Sequence, residues 1–163
     1  MISWLFCKPK VIFGDSYIEC KSRQREVIVW YIPVINLRRY GWPGYFWKRS
    51  EAIECRVRIE FIMDSNLLYR FAEPWADLPI GKSIPADSFP NGFPIASADW
   101  DGNIYLPGTP ISTNSPIPPY KIPKQSHIIA NIQVTSKKKI IAESKWSMDT
   151  NSDFCTPIIL RRL

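Results

Sequence analysis

The stretch Ala52-Ile53-Glu54-Cys55-Arg56-Val57-Arg58-Ile59-Glu60-Phe61-Ile62-Met63 decides the fold. Ile53, Cys55, Val57, Ile59 and Phe61 alternate with Glu54, Arg56, Arg58 and Glu60. A β-strand places that apolar set on one face and charges of both signs on the other. On a helix the same apolar positions would circle the cylinder instead of forming a stripe. The spacing predicts a strand with its charged face in water, where the charges pair across strands rather than bind a ligand.

Period two recurs on both sides of this segment. In residues 26–36, Val27, Val29, Tyr31 and Val34 are read on one side and Ile28, Trp30 and Ile32 on the other. That strand is covered on both faces or leaves the core for an edge at Pro33. Residues 11–13 and 17–22 read as short strands around a Gly14-Asp15 turn. Further strands are predicted at 67–71, 82–84, 93–98 and 103–106. Residues 109–123 are a proline-laden connector. A closing hairpin joins 126–136, with Ile128, Ala130, Ile132 and Val134 on one face, to 140–148, with Ile140, Ala142, Ser144, Trp146 and Met148. Lys137, Lys138 and Lys139 form its turn. The pattern predicts an all-β fold, an immunoglobulin-like antiparallel β-sandwich of about seven to nine strands.

Composition agrees. A chain of 163 residues is the size of one domain and buries roughly two thirds of its unfolded surface. Residues 1–163 are read as one sandwich with a short N-terminal lead and a C-terminal tail. Fifteen prolines oppose long helices, because proline lacks a backbone donor and fixes φ. The excess of 21 Lys and Arg over 15 Asp and Glu, a net charge of +6, permits nucleic-acid or anionic-surface binding without demanding it. The lysine run reads as an exposed turn, and Arg161-Arg162 as a solvated tail. The apolar start is too short to span a membrane and lacks the order of a signal peptide. With Met1 at its head, the chain is expected to be soluble, unexported and cytoplasmic.

The order Val29-Trp30-Tyr31-Ile32-Pro33-Val34-Ile35-Asn36, then Ala52-Ile53-Glu54-Cys55-Arg56-Val57-Arg58-Ile59, then Leu68-Tyr69-Arg70, Ile80-Gly81 and the closing hairpin resembles uncharacterised immunoglobulin-like domains of prokaryotes and their viruses. In those domains an aromatic-rich strand ending in Asn precedes an Ala-x-x-Cys-x-Val-x-Ile strand. The resemblance covers residues 26–148 loosely and is specific at the first two strands. It implies a fold of the kind found in adhesion and accessory modules, with no activity attached. The chain departs from antibody-type domains, since neither Cys20 nor Cys55 aligns with the cysteines that bridge their sheets.

Little chemistry is legible. Cys7, Cys20, Cys55 and Cys155 lack C-x-x-C spacing and His127 is the only histidine, so no zinc site is expected and the thiols are read as reduced. His127 is taken as a strand-end polar residue with no nucleophile motif beside it. The dispersed glycines form no phosphate loop. The segment Asp99-Trp100-Asp101-Gly102-Asn103 reads as a turn. Calcium ligation by Asp99, Asp101 and Asn103, or a sugar site that also uses Asp87 and Tyr105, stays open.

Residues 38–49 interleave rings and cations. Arg38, Arg39, Trp42, Trp47, Lys48 and Arg49 are the candidate binding residues, beside Tyr40, Tyr45 and Phe46. They suit stacking on bases, cation–π contact or a headgroup layer. The competing reading packs the rings over the end of the core. The chain is thus expected to be a noncatalytic binding or interaction module that needs no cofactor and engages another protein through a sheet edge or the aromatic loop. The alternative is nucleic-acid or anionic-surface binding through that loop. Periodicity leaves the oligomeric state open.

Overall fold

The computed structural model describes residues 8–22, 27–37, 50–74, 82–84, 91–99, 101–107, 120–151 and 157–163. These residues form twelve β-strands and no helix. The first half of the chain contributes β1 (Val11–Phe13), β2 (Ile18–Ser22), β3 (Val27–Asn36), β4 (Ala52–Met63), β5 (Asn66–Pro74) and β6 (Lys82–Ile84). The second half contributes β7 (Asn91–Asp99), β8 (Ile104–Leu106), β9 (Tyr120–Ile122), β10 (His127–Ser136), β11 (Lys139–Thr150) and β12 (Ile158–Arg162). Eight of them have five or more residues. The four three-residue strands carry the total past the seven to nine that the pattern predicts.

Two antiparallel six-stranded sheets result. The first runs β1-β3-β7-β8-β9, with β2 also on β3, and the second runs β12-β11-β10-β4-β5, with β6 also on β4. Their apolar faces share one core, consistent with a β-sandwich. The first sheet contributes Trp30, Ile32, Val34, Phe93 and Ile95, and the second Val57, Ile59, Phe61, Ile132 and Trp146. Each such side chain gains about 1.5–3 kcal/mol on leaving water. The indole Nε1 atoms of Trp30 and Trp146 and the Ser144 hydroxyl are buried without a hydrogen-bond partner among the described residues. At the two tryptophans, ring burial offsets that cost.

Four bulges decide which apolar residues reach the core, because one extra residue flips the alternation. In β4, Glu54 adopts φ 52° and the pairing with β6 shifts between Ala52 and Cys55. Ala52 is therefore buried and Ile53 only half-buried, against the simple alternation. In β11 the register jumps from Val134 opposite Ala142 to Thr135 opposite Ile140. Ile140 is turned out and is 53% exposed. The shift beside Trp30 and Tyr31 falls on β7, where Ile95 is the extra residue. β3 thus stays regular, and Val34 joins Trp30 and Ile32 in the core rather than Val27 and Val29. In β5 the extra residue is Leu68, since Phe61 faces Tyr69 and Ile62 faces Leu67.

Two strands lie where periodicity predicts none. Tyr120–Ile122, at the end of the expected connector, pairs with β8. Arg161 and Arg162 are the end of β12 rather than a tail, because Ile158 and Leu160 are buried against the core. The closing hairpin turns on Lys137 and Lys138 alone, both at positive φ, with Lys139 already paired.

The sheets also meet along their edges. Arg162 Nη1 donates to Phe13 O at 3.3 Å and pairs with Asp15, joining β12 to the end of β1. Tyr69 of β5 stacks on Tyr120 of β9 with ring centroids 5.7 Å apart. At the end of β3, fully buried Asn36 accepts from Lys10 N and donates to Ser50 O and Ile84 O, each at 3.0 Å. One amide thus ties β3 to β6 in the opposite sheet and to the segment entering β4. Replacement Asn36→Ala leaves these partners without their bonds, and a loss of about 3 kcal/mol is expected. Urea unfolding at constant m checks this, and a loss below about 1 kcal/mol contradicts the role.

Candidate functional site

Strand β2 is exposed along residues 18–21. Antiparallel neighbours alternate between residues that exchange both backbone hydrogen bonds and residues that exchange none. Gly14 N donates to Pro33 O and Leu37 N to Lys10 O, each at 2.9 Å. The odd-numbered residues of β3 therefore point their backbone groups toward β1. β2 lies on that same side, since β7 occupies the other, with Ile18 opposite Tyr31, Cys20 opposite Val29 and Ser22 opposite Val27. Those three β2 residues spend their amides on β3. Glu19 and Lys21 turn theirs outward, where no described strand pairs with them.

The side chains are equally open. Tyr17 and Ile18 are 37% and 41% exposed, and Glu19, Cys20 and Lys21 are exposed. Lys21 Nζ lies 3.1 Å from Glu19 Oε1, on the face opposite to Cys20. An edge with free donors and acceptors can take an added strand. A signal for it was present in the sequence, since Glu19-Cys20-Lys21 offers no fully apolar face.

The candidate residues Arg38, Arg39, Trp42, Trp47, Lys48 and Arg49 lie outside the described residues. The flanks of that segment are fixed, Leu37 to β1 and Ser50 to Asn36. Its root therefore sits about 23 Å along β3 from the row of Cys20.

The Asp99 segment is built as a turn. Asp99 Oδ1 accepts from Asn103 N at 2.8 Å, and Oδ2 accepts from Asn103 Nδ2 at 2.9 Å and Tyr105 OH at 3.0 Å. Burial pushes this carboxyl up, but the bonds from Asn103, Tyr105 and the Asp101 backbone outweigh it and hold the acid below its ordinary value. The same bond to Asp99, with burial added, holds the Tyr105 phenol proton above its usual range. Both carboxylate oxygens are thus committed to the turn. Among the described residues no group of three His, Cys, Asp or Glu is placed to hold a metal ion. Trp100 and Asp87 lie outside them.

On the outer face of the second sheet, an open depression of about 480 Å³ is lined by Arg58, Glu60, Gln133, Glu143, Lys145 and Arg162, among others. Glu60 Oε1 receives Arg58 and, across the strands, Arg70, each at 2.9 Å. Gln133 Nε2 donates to Glu143 at 2.8 Å. These exposed pairs neutralise one another and contribute little to stability. His127 opens β10 and contacts Asp149 across the hairpin.

Cys20 and Cys55 are both free thiols, one exposed and one buried. Burial, opposed by the Ile84 backbone and assisted by Glu51, pushes the Cys55 thiol up to about 11. It is a protonated core residue and not a nucleophile. Cys7 and Cys155 lie outside the described residues.

No helix of the described residues is long and apolar enough to cross a membrane. Comparisons of the chain with protein families, with curated proteins and with solved structures gave no match.

Two outcomes are expected. Asp99 is held at a depressed value, so its contribution is present above its unfolded value of about 3.9 and is lost as pH falls through the folded one. Asp99→Asn should therefore cost about 1 kcal/mol at neutral pH and almost nothing in strong acid. Equal losses in urea melts at both pH values would contradict this. Brief maleimide treatment of the folded chain, mapped by mass spectrometry, should label Cys20 and spare Cys55. Labelling of both at one rate would remove Cys55 from the core.

Proposed function

We propose that the chain is a noncatalytic, immunoglobulin-like binding module that engages another protein by adding a strand to β2. The observation that carries this reading is the outward-facing backbone of Glu19 and Lys21 on a strand whose residues 18–21 are exposed and whose outer side no described strand covers. Main-chain pairing supplies affinity at such an edge, and the alternating side chains supply selectivity. The immunoglobulin-like assignment is supported by two antiparallel sheets around one core and by Trp30, buried on a strand paired on both sides. Nucleic-acid or anionic-surface binding through Arg38, Arg39, Lys48 and Arg49 with Trp42 and Trp47 is the competing reading, and it rests on the sequence of that segment and the net charge of +6.

Selection of random linear peptides on the immobilised chain separates the two. Extended, alternating peptides are expected, with an affinity that depends weakly on salt and falls about tenfold in Ile18→Asp. Labelled oligonucleotides, titrated at two salt concentrations, are expected not to bind. Steeply salt-dependent oligonucleotide binding, lost when Arg38, Arg39 and Trp42 are replaced, would overturn the proposal in favour of phosphate recognition.

A further inference from the structure

Resting on that reading, we infer that the occupant of the β2 edge is a second copy of this chain, paired antiparallel about a two-fold axis through Cys20. The segment Ile18-Glu19-Cys20-Lys21-Ser22 is self-complementary in that arrangement. Rotation about Cys20 places Glu19 opposite the partner's Lys21 and Lys21 opposite the partner's Glu19. These are the two residues whose backbone groups point outward, so each pair exchanges both of its hydrogen bonds, and four backbone groups per copy that no described strand pairs find partners. On the side-chain level the same two rows are opposite-charge pairs, which favour this register. The ion pair already present between Lys21 and Glu19 becomes part of a four-charge cluster of alternating sign.

Other registers fare worse. A shift by two residues along the strand, which keeps the same backbone groups outward, sets a glutamate opposite a glutamate or a lysine opposite a lysine and shortens the ladder. A shift by one points the bonding groups past each other. Exposed Tyr17 and Ile18 add apolar area at the ends of the ladder. Two-fold pairing is isologous and closes at two copies, so it makes a dimer and not a fibre. Cys20 then faces the partner's Cys20 in a pair without backbone bonds, with Cα atoms about 4.5 Å apart, inside the span that a disulfide accepts. The thiol therefore serves as a reporter of register.

The test is sedimentation velocity of the full chain under reducing conditions over a range of concentrations. A reversible dimer is expected. Lys21→Glu should weaken it by about tenfold, since both cross-strand pairs become repulsive. The double variant Glu19→Lys with Lys21→Glu should restore it. Diamide, an azo oxidant reduced to its hydrazine as two thiols give up two protons and two electrons to form a disulfide, should convert the dimer to a covalent one. Cys20→Ser should abolish that product. A monomer at every concentration, a dimer indifferent to Lys21→Glu, or a cross-link that survives Cys20→Ser overturns the inference. A monomer that still binds the selected peptides at β2 leaves the edge as a binding site and removes only the second copy as its occupant; loss of peptide binding as well removes the edge itself.

Discussion

The buried amide of Asn36 is the constraint on which the arrangement of the sheets depends. It sits where β3 ends in one sheet and the chain prepares to enter β4 in the other, with bonds to Lys10, Ser50 and Ile84. Apolar burial drives the two faces together, but it is non-directional and tolerates sliding. A fully buried amide with three of its bonding positions used does not, because any slip leaves a backbone group unpaired away from water. The Arg162 contacts at one edge and the Tyr69–Tyr120 stack at the other join the sheets at points away from the one Asn36 fixes at the end of β3.

The placement of polar groups follows from the same economy. On the outer face of the second sheet Arg58 and Arg70 share Glu60, and Gln133 is bonded to Glu143, so these groups are engaged with one another in water. The Asp99 carboxylate is consumed by its own turn. Cys55 is a small apolar filler held protonated by its surroundings. Among the described residues, what stays unspent is backbone, along β2. The functional reading therefore rests on main-chain groups at a sheet edge rather than on a cluster of reactive side chains.

Alternation located most of the strands. The limits at Val11–Phe13, Ala52–Met63 and Lys82–Ile84 follow from period two and its breakers, and the remaining long strands differ by one to three residues at their ends. The closing hairpin was equally plain. Three of the misassigned positions share a cause, while Val34 lies in the core because β3 keeps a simple alternation. Ala52, Ile53 and Ile140 change faces because Glu54 and Ile141 introduce bulges, and a bulge depends on the partner strand rather than on local composition. β9 and β12 were hidden because three residues beside prolines, or a short apolar run ending in two arginines, become strands only when an existing edge receives them.

The candidate site divides the same way. The amino-acid order alone established an all-β chain, the polar outer face of β4 and the turn-forming character of Asp99 to Asn103, since these depend on residue type and spacing of two or four. It also carried the self-complementary order of charges around Cys20. Only the tertiary arrangement decided that β2 lies at an edge, that Glu19 and Lys21 aim their backbone outward, and that Asn36 reaches across to Ile84. Strand order and register are set by contacts between residues far apart in the chain, and no local pattern encodes which neighbour a strand will lack.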